Sequence, residues 1–362
     1  MKVLVTGAAG RLGANVCWQL SQRNEDVRAV VLPGDPFKSK LEGMPGVEIV
    51  ECDLTDMDSV REAVKGCTHI VHLAALLMRG NVDYDKMYEI NAFSTLRLIL
   101  ASAAEQGTLQ KFVLASTDGT YGPGMPQREV PIREETKQFP ADHYGTGKYL
   151  GEVILKNLAY QYEFDYSIVR FATIISPEEI FSHFRYESLK GIVSLAAKGK
   201  DSHIWPMFVG QPDMLKMLEK VDGTGNPAVI PIGPKGEWII HMADTRDITQ
   251  GVIRALYMQE ANGEDFLIAG PHPTGFSEAA ELFKKYGVVD RIETIDLPIT
   301  WDLSMDITKA RKVLAFEPVW TMEKMIQCAL SDVNEGPNKY IPARGGKTSA
   351  NPFDSNYATK TK

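Results

Sequence analysis

The feature that most constrains this chain lies at its start. Lys2-Val3-Leu4-Val5 is a short apolar run that passes directly into Thr6-Gly7-Ala8-Ala9-Gly10-Arg11-Leu12-Gly13. Glycines three apart at a strand-to-helix turn let the backbone bend tightly, admit a pyrophosphate and let the helix pack close to the sheet. Glycines also punctuate ordinary turns, but here the flanking pattern is right: an apolar strand precedes them, and Leu12, Val16 and Leu20 follow at helical spacing with Cys17 on the same stripe. The reading is a dinucleotide-binding turn, whose phosphates rest on free N–H groups at the positive end of the helix.

Strand and helix signals then alternate up to about Arg170. Strands are expected at Lys2–Thr6, Val27–Leu32, Val47–Glu51, His69–Leu73, Lys111–Ser116 and Tyr166–Arg170, with helices at Leu12–Gln22, Met57–Lys65, Asp85–Ala104 and Tyr144–Tyr162. Such alternation calls for a parallel sheet covered on both faces, an α/β doubly wound, Rossmann-type domain over residues 1–170. Beyond Phe171 the alternation breaks down into a stretch rich in aromatics and methionine that includes Phe181, Phe184, Tyr186, Trp205, Met207 and Phe208. Residues 171–334 are therefore expected to form mainly a smaller C-terminal substrate lobe beyond the strand ends. His241–Met258, Phe266–Gly270 and a helix capped by Ser277 look like returns to the main sheet, at about 239–270 and just after. Residues 335–362, with no apolar period, read as a loose arm.

The 362 residues, 44% of them hydrophobic, suffice for a large core. A net charge of -8 argues against a nucleic-acid surface, which needs clustered Lys and Arg. No apolar run approaches membrane-spanning length and the N-terminal segment lacks a signal pattern, so a cytoplasmic location is expected. Cys17, Cys52, Cys67 and Cys328 lack CxxC spacing and read as small buried hydrophobes, with neither a disulfide nor a metal site indicated.

A second constellation opens the last helix of the first domain: Tyr144-Gly145-Thr146-Gly147-Lys148. A spacing of four puts Tyr144 and Lys148 on one helix face. A phenol ordinarily titrates near ~10, so a nearby cation that favours the phenolate would make it a usable base. Between the two motifs lies Ala115-Ser116-Thr117-Asp118-Gly119-Thr120-Tyr121-Gly122, hydroxyls and a carboxylate at the carboxyl end of a parallel strand, where this architecture binds ligands. A turn that satisfies its own backbone is the plainer account of Ser116 and Asp118.

On these three stretches the chain resembles the extended short-chain dehydrogenase/reductases of the NAD-dependent epimerase/dehydratase family, over roughly residues 1–330. The resemblance implies that Gly7, Gly10 and Gly13, with Arg11 and Leu12 between, cradle the cofactor; that Asp53 and Leu54 meet its adenine; and that Leu73, Ala74 and Ala75, after His72, line it. It implies that Asn91 steadies the lysine through the following helix. Thr117, four residues before Tyr121, matches the catalytic hydroxyl, Tyr144 the base, and Lys148 the partner that lowers the Tyr144 pKa and binds the nicotinamide ribose. Phenolate at Tyr144 then takes the proton of a substrate hydroxyl while its carbon gives up hydride.

The departures from the family pattern bear on substrate. Members acting on sugar nucleotides follow the next strand with Arg-Tyr-Phe-Asn, where this chain has Arg170-Phe171-Ala172-Thr173, and carry a phosphate-gripping Arg where it has Glu237. Ser116, Asp118 and Thr173 are candidate substrate contacts, and an unactivated sugar, sugar acid or similar polyol or ketone is expected rather than a nucleotide sugar. The 4,6-dehydratases use Thr-Asp-Glu; Gly119 replaces the Glu, which disfavours dehydration. The second strand ends Val31-Leu32-Pro33-Gly34-Asp35, without the usual ribose-binding acid, although Asp35 could reach the diol. NAD is expected, with NADP left open because Lys38 and Lys40 follow. The resemblance thus implies an NAD(P)-dependent oxidoreductase or epimerase, with a dihydroflavonol-reductase-like ketone reductase using NADPH and a non-catalytic dinucleotide sensor as the alternatives. Apolar surplus on Asp85–Ala104 and Tyr144–Tyr162 predicts a homodimer.

Overall fold

The computed structural model describes residues 1–77, 83–105, 109–122, 129–197, 213–331 and 333–343. Trp205, Met207, Phe208 and the end of the chain after Ala343 lie outside them. The first domain runs β1 (Lys2–Thr6), α1 (Arg11–Ser21), β2 (Asp26–Val31), β3 (Val47–Glu51), α2 (Met57–Val64), β4 (His69–His72), α3 (Tyr84–Tyr88), α4 (Ser94–Ala104), β5 (Lys111–Thr117), α5 (His143–Tyr162) and β6 (Asp165–Phe171). Every expected strand and helix is present within a residue or two of its expected bounds, with one difference. The helix expected over Asp85–Ala104 is interrupted by a π-turn at Glu89–Phe93, where Asn91 bonds to the Leu76 backbone instead of facing a neighbouring turn.

A seven-stranded parallel sheet has the order β12-β6-β5-β4-β1-β2-β3, with β12 (Glu264–Ile268) added from later in the chain. Val3, Leu4 and Val5 are inaccessible on both faces, the environment that uninterrupted apolar strands require. One face is covered by α1 and α8 (Thr245–Tyr257), through Val16, Leu20, Ile248, Val252 and Leu256. The other is covered by α2, α4 and α5, through Val60, Leu98, Ile99 and Leu155. The strand order reverses between β1 and β4, which opens a crevice at their carboxyl ends.

A second core gathers around Trp238, Phe184, Phe276 and Phe283. It is built from α6 (Tyr186–Ala197), α7 (Met214–Leu218), the sheet β14-β8-β9 (Ile292–Asp296, Ala228–Gly233 and Gly236–Glu237), α9 (Phe276–Lys285) and α11 (Met322–Ser331). Between the cores lie two small pairings, β7 (Thr173–Ile175) with β11 (Met242–Asp244) and β10 (Ile239–Ile240) with β13 (Thr274–Gly275), while α10 (Thr308–Val313) packs near β12.

Two expectations change here. The helix at Ser277 belongs to the second core rather than the main sheet, and its N-cap is Gly275; Ser277 lies inside it, donating through N–H and Oγ to the Glu237 carboxylate. The described part of the 335–362 arm is docked, not loose. Asn15 exchanges two hydrogen bonds with the Ile341 backbone, at 2.9 and 2.8 Å, and Asn334 makes a similar pair with Tyr340. Two Asn amides acting as backbone surrogates leave no trace in hydrophobic periodicity. No helix among the described residues is long and apolar enough to cross a membrane.

Candidate active site

The glycine turn closes between β1 and α1 with no room for side chains. Gly7 has φ +64°, and a Cβ there would lie 2.9 Å from the Ala74 backbone. A Cβ on Gly13 would fall 2.1 Å from the Gly7 carbonyl. α1 starts without a side-chain cap or an acidic residue in its first turn, so its leading N–H groups and its positive end are left for an anion. Leu12 is core, and the Arg11 guanidinium is bound in bidentate fashion by Glu179 at 2.8 and 2.6 Å, which ties this turn to the segment Pro177–Ser182.

Across the crevice, the loop after β4 is fixed by a hydrogen-bond chain whose direction can be worked out. The Leu73 and Ala74 N–H groups both donate to Thr6 Oγ1 at 3.1 Å, and Ser94 Oγ donates to the Ile90 carbonyl. Thr6 therefore gives its proton to His72 Nδ1 at 2.6 Å, and His72 Nε2–H donates to Ser94 at 2.8 Å. Burial, with Lys148 adding to it, drives the His72 pKa down to about 3, so the ring stays neutral. Ala75 is exposed at the rim. Asp53, just past β3, accepts from Thr55 N–H and Oγ1 at 2.9 and 2.8 Å, bonds that hold its carboxyl below the usual range, while Leu54 is core.

Thr117 ends β5. Its Oγ1 donates to Asp118 Oδ1 at 3.0 Å and accepts from Gly119 N–H at 3.1 Å. α5 starts against this turn, capped by Asp142 on Gly145 N–H at 2.7 Å; a Cβ on Gly145 would lie 2.5 Å from the Gly119 carbonyl. Gly147 and Gly151 give the same close seating against Asn91, with added Cβ atoms 3.1 and 3.0 Å away. The topology thus brings Thr117, Asp118, Tyr144 and Lys148 to one end of the sheet beside the glycine turn.

Their electrostatics differ from expectation. The Tyr144 phenol is pushed up, by burial first and then by the Asp118 and Asp142 carboxylates. Burial depresses Lys148 to about 8, against the pull of Glu152, and raises Asp118 to about 6, against the bonds from Thr117 and Gly119.

One expected substrate contact is engaged elsewhere. Ser116 is buried and donates to Glu152, so its hydroxyl is not free for substrate. Asn91 spends its amide on Leu76 N–H and C=O, at 2.8 and 2.9 Å, while its Cβ lies against Gly147 of α5. Glu237 caps α9 through Ser277. Thr173 lies half-buried at the start of β7, paired in register with Met242.

Sequence reasoning missed the network beneath the site. Arg170 and Glu152, each with 1% side-chain exposure, form a bidentate pair at 2.9 and 2.8 Å. Arg170 also donates to Tyr121 OH at 2.7 Å and faces Asp265 at 2.5 Å, and Gln138 donates to Glu152 at 2.9 Å. Glu152 lies one turn beyond Lys148, so Tyr144, Lys148 and Glu152 share one helix face; that spacing, with an arginine in the apolar run Ser167-Ile168-Val169-Arg170, is the signal that could have found it. Among the described residues, no cluster of His, Cys, Asp and Glu could hold a metal ion.

The uncapped α1 and a cradle that any Cβ would fill fit a dinucleotide, with Asp53 and the loop after β4 along its course. Comparisons with known proteins agree. Over 157 residues the chain is 35% identical to the UDP-glucose 4-epimerase of Rhizobium leguminosarum bv. trifolii, covering 42% of this chain and 46% of that protein. It is 26% identical over 226 residues to the D-erythronate dehydrogenase of Cupriavidus necator, covering 57% and 67%. Alignments with the first curated relatives span about half of their length, from 41% to 55%. The fold matches that of a short-chain dehydrogenase/reductase superfamily protein from Agrobacterium tumefaciens, solved with bound NAD, with TM-score 0.76 and 24% identity, covering 91% of this chain and 96% of that one. The model of the NAD dependent epimerase/dehydratase family matches residues 3–227. The chain belongs to that family.

Proposed function

We propose that this protein moves hydride between NAD and a secondary alcohol or ketone of a small, unactivated sugar-like substrate, with Thr117, Tyr144 and Lys148 as the catalytic group. The observation that carries this is the convergence of those three residues with an uncapped, glycine-lined helix start at the crevice between β1 and β4. NAD supplies the hydride acceptor and, once reduced, the donor. Tyr144 exchanges a proton with the substrate oxygen, taking it as the alcohol is oxidised and returning it as the ketone is reduced. Thr117 holds the same oxygen, and Lys148 orders the ribose and offsets charge at the phenol. The second core, built from α6, α7, β8, β9, β14, α9 and α11, forms the wall against which the substrate rests, with Thr173 and Asp118 as its polar contacts.

An unactivated substrate is supported by Thr173 in the position where sugar-nucleotide enzymes carry Asn, and by a carboxylate, Glu237, where they carry a phosphate-gripping Arg. The D-erythronate dehydrogenase among the relatives points the same way. The protein is further proposed to act as a homodimer through the π-turn, α4 and α5, since Phe93 on the π-turn and Leu150, Val153 and Tyr162 on α5 stay exposed and none of the described residues of the second lobe covers them. Sedimentation at micromolar concentration tests the pairing, and a single 40.1 kDa species rejects it.

Turnover is tested by following nicotinamide absorbance with NAD against sugars, sugar acids and nucleotide sugars. Reduction of NAD by an unactivated polyol, lost in Tyr144→Phe, supports the reading. Saturable binding of UDP- or dTDP-sugars in calorimetry overturns the substrate class, and full activity of Tyr144→Phe overturns the mechanism.

A further inference from the structure

The docked segment 334–343 reaches the glycine turn proposed above for the cofactor. In this architecture the residues just past the second strand meet the adenine ribose, and a cation there accommodates the extra phosphate of NADP. β2 ends on the buried Val31, followed by the exposed, uncharged Leu32. The cations in the connection from β2 to β3 are Lys38 and Lys40. Lys38 Nζ lies 3.1 Å from Glu51.

Lys40 is held more completely. Its ammonium donates to the carbonyl of Ala9, inside the glycine turn, at 3.0 Å and to the carbonyl of Ala343 at 2.6 Å, and lies 4.9 Å from the Phe37 ring centroid. Ala343 is itself fixed, since its N–H donates to Glu178 Oε1 at 2.8 Å and the preceding Ile341 is paired with Asn15. Arg246 anchors the base of this strap, donating to the Asn338 carbonyl at 3.1 Å. Burial lowers the Lys40 pKa, Asp35, Glu178 and Glu179 pull it back up, and Arg11 presses it further down, so the site already holds charges of both signs.

We infer that the strap of residues 334–343 is a specificity element: by taking Lys40 as the donor to its Ala343 carbonyl, it withholds the cation that a ribose phosphate would need and so makes the site select NAD over NADP. This rests on the dinucleotide site proposed above. With the strap released, Lys40 keeps its place beside Ala9 and its ammonium is free to meet a phosphate at the rim of the turn. The two Asn15 bonds to Ile341 are the hook.

The test needs only dinucleotides and the full-length protein. Dissociation constants for NAD and NADP are measured by calorimetry for the parent, Asn15→Leu, Lys40→Ala and the double variant, with amide exchange at Tyr340 and Ile341 reporting release of the strap. The parent is expected to bind NAD more tightly than NADP. Asn15→Leu is expected to tighten NADP by roughly tenfold, the scale of one charge-assisted bond to phosphate, with NAD changed far less. Lys40→Ala alone is expected to leave the ratio unchanged, and the double variant to lose the gain. If exchange stays slow in Asn15→Leu, Ile341→Pro removes the donor from the other side and carries the same expectation. A released strap with unchanged NADP affinity, a gain that survives without Lys40, or a parent that loses NADP affinity in Lys40→Ala each overturns the inference. A parent that binds neither dinucleotide overturns the site reading itself, and this one with it.

Discussion

One turn of α5 separates two opposite kinds of polar chemistry. At Glu152 the buried charges are matched: bidentate Arg170, Ser116 and Gln138 on the carboxylate, then Tyr121 and Asp265 on the guanidinium. At Tyr144 and Lys148 they are not, and burial pushes the phenol up and the ammonium down. A protein that can satisfy one buried pair so fully a turn away has the means to satisfy the other. Under the proposed function, a cofactor and a substrate supply at the unmatched turn what is missing there, while the matched turn keeps it rigid.

The largest expected effect tests the unmatched turn. Tyr144→Phe should lower turnover about 10²- to 10⁴-fold, the range ascribed to a positioned acid or base, with NAD affinity held within about threefold. Steady-state rates and calorimetry check this, and equal losses in both would mean that the phenol only shapes the pocket.

Glu152→Ala tests the matched turn. It leaves Arg170, at 1% exposure, with Asp265 as its remaining anion, so stability should fall in chemical denaturation toward the lower end of the about 3–5 kcal/mol range for a broken buried pair. Replacing both partners with apolar residues should recover much of that loss, because the pair offsets its own desolvation. A single variant as stable as the parent would show that the network is ornamental.

These two turns were unequally legible in the sequence. Gly7, Gly10, Gly13, Thr117, Tyr144 and Lys148 could be read because each sits at a strand end or helix start, where short-range pattern and position coincide. The Glu152–Arg170 pair spans two elements, and its partner Asp265 comes from β12, nearly a hundred residues later, so no local period joins them. The π-turn at Glu89–Phe93 depends on Asn91 finding the Leu76 backbone, and the strap on Asn15 finding Ile341. Periodicity reports which face is buried. It does not report which backbone an amide will choose, and the docked strap was therefore read as loose.

Lys148→Met should separate stability from function. The folded pKa of about 8 lies below the unfolded value of about 10.5, so between these values the unfolded chain binds more protons and the parent grows more stable as pH rises. Removing the ammonium should stabilise the protein by about 2 kcal/mol at pH 7, flatten that alkaline slope and abolish turnover. Melting temperatures from pH 7 to 10 decide it, and a destabilised variant would place Lys148 with the matched network.

Asp118→Asn should give the smallest change, and the sign is opposite along the pH axis. Here the folded pKa, about 6, lies above the ordinary carboxyl value of 3.8 because burial disfavours the carboxylate. Between those values the native protein binds more protons than the unfolded chain, so the parent loses stability as pH rises and bears the whole cost at neutral pH. Asparagine keeps a carbonyl oxygen for the Thr117 hydroxyl, now 3.0 Å from Oδ1, and removes only the charge. The variant should therefore match the parent near pH 4 and exceed it by about 1 kcal/mol at pH 7, discounted from the full shift because the same site also faces the titrating Asp142. Denaturation midpoints across pH 4–7 measure the divergence. Parallel curves would mean that Asp118 is ionised throughout and is matched after all, which would move the boundary between the two kinds of chemistry from α5 to the end of β5.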